Sequence, residues 1–65
     1  MIIFKKIDSD CYLVSDGFHA VNMFVTKSRK LIFADIYQFF FECSSMKELE
    51  NKVALNWNDM DKFEI

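Results

Sequence analysis

Apolar and polar residues alternate along most of this chain with the period of strands, and near residue 45 the period becomes that of a helix. "IIFKKI" (residues 2–7) is rich in β-branched and aromatic side chains and is closed by the turn-prone Asp8, Ser9 and Asp10. It predicts a first strand. In "CYLVSDGFHAVNMFV" (11–25), Asp16-Gly17 separates two apolar runs and favours a two-residue hairpin turn, so strands two and three are expected on either side. A polar break, "TKSRK" (26–30), leads into "LIFADIYQFFFEC" (31–43). Its first half predicts strand four, while residues 38–43 stay open between strand and helix.

Ser45-Met46-Lys47-Glu48 has the form of a capping box, in which a hydroxyl and a carboxylate satisfy free amides at a helix start. Met46, Leu49, Val53 and Trp57 then recur on one helical face, with Lys47, Glu48, Asn51 and Lys52 turned away. The Asn and Asp residues of "NWNDMDKFEI" end the helix, and the last four residues have the makings of a short strand. The pattern predicts an α+β domain over residues 1–65: a small four-stranded antiparallel meander sheet followed by one amphipathic helix.

A turn at Asp16-Gly17 sets Val14 opposite His19 and divides the hairpin into two faces. Tyr12, Val14, His19, Val21, Met23 and Val25 share one; Cys11, Leu13, Phe18, Ala20, Asn22 and Phe24 share the other. In the fourth strand Phe33, Tyr37, Phe39 and Phe41 alternate with Ile32, Ala34, Ile36 and Phe40. Both faces of the sheet are therefore apolar. A helix of this length is about 16 Å long and about 10 Å wide, against a sheet face of roughly 15 by 20 Å, so it covers one face at most. Either the sheet curls into a small barrel closed by Phe63 and Ile65, or another chain covers the second face.

Composition sharpens that choice. With 65 residues, 52% of them hydrophobic, eight Phe and no Pro, the chain has the make-up of a folded domain rather than a disordered tail. At this size it buries only about 60% of the surface its unfolded form exposes, and small folds commonly rely on disulfides, a metal or a second subunit. Cys11 and Cys43 read as reduced, small hydrophobes, because no secretory signal core precedes them. No run approaches the roughly 20 apolar residues of a membrane span, and the chain reads as soluble and cytoplasmic.

Catalytic and cofactor signatures are lacking. His19 is the lone histidine and has no identifiable partner base or nucleophile, which points away from an enzyme. Cys11, His19 and Cys43 have none of the paired spacings of a zinc site. "NWNDMD" lacks the glycine and the bidentate glutamate of a calcium loop. Gly17 stands alone, so no phosphate loop exists. No cofactor and no metal are expected.

Charge is unevenly placed: residues 1–41 carry five basic and four acidic side chains, residues 42–65 three basic and six acidic, for the total of −2. That balance argues against general nucleic-acid affinity, and the acidic C-terminal third suits a partner protein with a basic surface. The reading that results is a non-enzymatic protein-binding module, an inhibitor or adaptor of the kind that viruses and mobile elements encode, with a homodimer as a further use of the same face. Its partner-binding residues are expected to be Leu13, Phe18, Phe24, Phe39 and Phe41 on the second sheet face, joined by Glu48, Glu50, Asp59 and Asp61 of the acidic third. The alternative is a nucleic-acid-associated regulator touching phosphates through a loop bearing Lys27, Arg29 and Lys30.

Overall fold

In the computed structural model, which describes all 65 residues, the chain runs β1 (Ile3–Lys6), β2 (Cys11–Ser15), β3 (His19–Ser28), β4 (Leu31–Ile36), β5 (Phe39–Cys43), α1 (Met46–Asn56), a 3₁₀ turn (Trp57–Asp59) and β6 (Phe63–Glu64). Strands β1 to β5 lie side by side in chain order, each antiparallel to the next, and β6 pairs with the start of β3. The α+β meander-then-helix architecture is as expected, with one strand more in the meander. The segment 31–43 is two strands rather than one: Gln38 takes a φ of 69°, the chain reverses over Tyr37-Gln38, and Ile36 faces Phe39. Residues 38–43 are thereby strand, apart from the turn residue Gln38.

The β2–β3 hairpin also differs in register. Val14 lies opposite Val21, not His19. The Asp16 N–H donates to the His19 carbonyl at 3.1 Å, and the Asp16 carboxylate accepts the N–H groups of Phe18 (2.8 Å) and His19 (2.7 Å). Asp16 thus stands before the turn, whose tip is Gly17-Phe18, with Gly17 at a φ of 94°. The slip is by two positions, so every side chain keeps its expected face.

One face of the sheet carries Val14, Val21, Met23, Val25, Ile32, Ala34, Ile36 and Cys43, which join Leu49, Val53, Trp57 and Met60 in a core cluster of twelve buried residues. Helix α1 packs over β4 and β5 on this side. Ser45 caps it, its hydroxyl accepting the Glu48 N–H at 3.1 Å, and the Glu48 carboxylate accepts from the Ser44 N–H and hydroxyl at 2.7 and 3.0 Å. Leu49 and Val53 are wholly inaccessible; burying a side chain of that kind is worth about 1.5–3 kcal/mol. Strands β1 and β5 make no contact, so the sheet stays open and does not close into a barrel. No helix is long and apolar enough to cross a membrane.

Candidate protein-binding surface

The triple phenylalanine is resolved by alternation along β5. Phe39 and Phe41 turn inward, packed against the core cluster with ring centroids 6.0 Å apart, and Phe40 turns outward. The two expected partner-binding residues Phe39 and Phe41 are thus core-facing: the extra turn at Tyr37-Gln38 reverses the strand and puts them on the face of Ile36 and Ala34.

On the outer face, opposite the helix, the ladder aligns Cys11, Phe24, Asp35 and Phe40 in one row across β2 to β5. Phe24 is 54% exposed and Phe40 65%. Phe33 sits diagonally behind Phe40 with ring centroids 6.1 Å apart. Leu13 and Ile3 extend the apolar surface towards the β1 edge, and Phe63 adds to it from β6, beside the buried Ala20. The C-terminal segment therefore covers a corner of this face, not the whole.

Of the remaining expected partner-binding residues, Leu13 and Phe24 do lie on the outer face. Phe18 is exposed but projects from the hairpin tip. Glu48 and Glu50 are on the helix, across the sheet from Phe24, and the Glu48 carboxylate is engaged at the helix start, where those hydrogen bonds hold it below the usual carboxylate range. Asp59 lies in the 3₁₀ turn. Asp61 alone of the four acids reaches the outer face. The acidic third is consequently not one patch, because helix and sheet carry its charges to opposite sides of the molecule. The sequence reading missed Asp35, Phe40 and Phe63; a single carboxylate inside "LIFADIYQFFF" is the signal that marks Asp35.

The outer face is not flat. β4 pairs with β3 from Met23 to Ser28 and β6 pairs with His19 and Ala20, leaving a gap between them. The gap opens as a groove of about 550 Å³ with Asn22 in its floor, Phe24, Tyr37 and Phe63 in its walls, and Asp35 and Asp61 beside them. Lys62 borders it too, but its ammonium group donates to the Trp57 and Met60 carbonyls at 2.6 and 3.0 Å and lies 5.3 Å from the centroid of the Trp57 ring.

Of the basic residues weighed for phosphate contact, Arg29 and Lys30 form the β3–β4 turn, with Arg29 at a φ of 58°, while Lys27 joins Lys6, Ser9 and Tyr12 around a hollow of about 270 Å³. Cys11 and Cys43 are both free and buried, on opposite faces of the sheet, and burial raises the Cys43 thiol above its ordinary pKa. No three His, Cys, Asp or Glu side chains come together as a metal site. Comparison with protein-family models, curated proteins and solved structures returns no match.

Proposed function

We infer that this chain is a non-enzymatic protein-binding module, of the inhibitor or adaptor kind, that docks its partner on the outer face of the sheet. The observation that carries this reading is the row Phe24–Asp35–Phe40 with Phe33 and Phe63 about it: large apolar side chains on a sheet face that the helix leaves uncovered. Exposed large apolar side chains gathered on one face mark interaction sites, and aromatic residues dominate interface energetics.

The test is capture of a partner followed by cross-linking and mass spectrometry to locate the contact. Phe24→Glu and Phe40→Glu are expected to abolish capture while leaving the circular dichroism unchanged. Leu55→Glu, on an exposed helix position of the other side, is expected to leave capture intact. Capture that survives both phenylalanine changes would remove the outer face from consideration.

A further inference from the structure

We propose that the groove between β4 and β6 receives an arginine side chain presented by a partner protein; this deepens the protein-binding reading above and rests on it. Three features of the groove converge on that chemistry.

The first is its lining. Phe24, Tyr37 and Phe63 offer aromatic surface, and a guanidinium ion stacks on such rings through its planar, weakly hydrated face. The second is charge. Asp35 and Asp61 flank the groove, and neither makes an ion pair or a side-chain hydrogen bond within the chain, where the one close acid–base contact is His19 to Asp16 at 4.0 Å. Lys62, the only cation nearby, is already held by two carbonyls and the Trp57 ring. The groove therefore presents two uncompensated carboxylates beside aromatic walls, complementary to a cation that can also donate a fork of hydrogen bonds.

The third feature concerns the main chain and points to a peptide rather than a free small cation. Along β3 the odd-numbered residues turn their N–H and C=O towards β2, as the Val25 N–H to Asp10 carbonyl bond at 2.8 Å shows. The even-numbered residues face the other way, and the Ile65 N–H meets the Phe18 carbonyl at 3.2 Å. Asn22 is even-numbered and falls in the gap: the β4 pairing ends at Met23–Ile36 and the β6 pairing at Ala20–Phe63, so the Asn22 N–H has no ladder partner. A main-chain donor thus stands free in the groove floor, where a carbonyl of the partner's peptide backbone can accept from it while the arginine lies between the aromatic walls.

The test is a titration of the ¹⁵N-labelled protein with the capped tripeptide acetyl-Gly-Arg-Gly-amide at low salt, taken to saturation or to the peptide's solubility limit. Shifts are expected at the amides of Asn22, Phe24, Asp35, Tyr37 and Phe63, with affinity at least tenfold lower for the citrulline peptide, which keeps the shape and loses the charge. Asp35→Asn combined with Asp61→Asn, both at exposed positions, is expected to weaken binding by a similar factor without altering the rest of the spectrum. Absence of shifts, equal response to citrulline, or shifts confined to Glu48 and Glu50 on the helix would each overturn the assignment. The same amides shifting when the protein alone is concentrated, and ceasing to do so in Arg29→Ala, would assign the groove to a second copy and overturn a foreign occupant. If the peptide fails while Phe24→Glu and Phe40→Glu still abolish partner capture, the groove assignment falls and the outer-face reading stands.

Discussion

Asp16 shows how much one side chain settles. Its carboxylate accepts the Phe18 and His19 amides and, at 2.9 Å, the indole N–H of Trp57, 41 residues further on. The Trp57 bond is the main reason its pKa lies far below the ordinary carboxylate value, with the two amides next. Because the folded form holds the proton less readily than the unfolded chain, the stabilisation is complete above the unfolded value of about 4 and is lost as pH falls through the lower, folded value. Urea unfolding midpoints are accordingly expected to drop as pH is lowered below about 4, and to drop less steeply in Asp16→Asn, which should start from a lower midpoint at pH 7. A parallel pH dependence in the two proteins would refute this. From sequence, Asp16 was legible as a turn former and not as an anchor, since nothing local announces a partner so distant along the chain.

Among the elements, the helix was the most legible. Its cap and its stripe of Met46, Leu49, Val53 and Trp57 are local and periodic signals, and Leu49, Val53 and Trp57 are buried. Removing the cap with Ser45→Ala should cost about 1 kcal/mol. The hairpin between β4 and β5 was not legible, because its turn rests on a glutamine at positive φ, where Gly, Asn or Asp would have signalled the reversal. That concealed turn decides which phenylalanines are core. Phe41→Ser is expected to destabilise by about 2 kcal/mol, as truncation of a part-buried aromatic, whereas Phe40→Ser should fall within about 0.5 kcal/mol of the parent. Chemical denaturation of the pair distinguishes this order from its reverse.

On the scale of the whole molecule, the accessible surface is 4661 Å², close to the roughly 4,400 Å² typical of a folded monomer of this mass. Surface is therefore ordinary in extent and unusual in where its aromatic part lies. Five strands about 4.8 Å apart and about 18 Å long make an outer face of roughly 430 Å², about half of what each side of a standard stable interface contributes. Self-association through this face alone should be weak: light scattering is expected to give the monomer mass of 7.8 kDa at micromolar concentration, and a stable dimer there would contradict it. The groove had no sequence signal of its own, because it arises where the ends of two strands distant in the chain stop short of each other.

The pairing of β6 with β3, together with the Asp16–Trp57 bond, has a kinetic consequence. Every other element contacts a near neighbour in the chain, and such local topologies fold quickly. The terminal segment must instead close a loop of more than forty residues, so the meander and helix should form first and this segment last. Trp57, the single tryptophan, sits at that closure. Its fluorescence in a stopped-flow refolding experiment should follow the final docking of the C-terminus, separately from a far-ultraviolet signal that follows the sheet and helix. The C-terminal side of the groove, Asp61 and Phe63, would then be completed in the same late step.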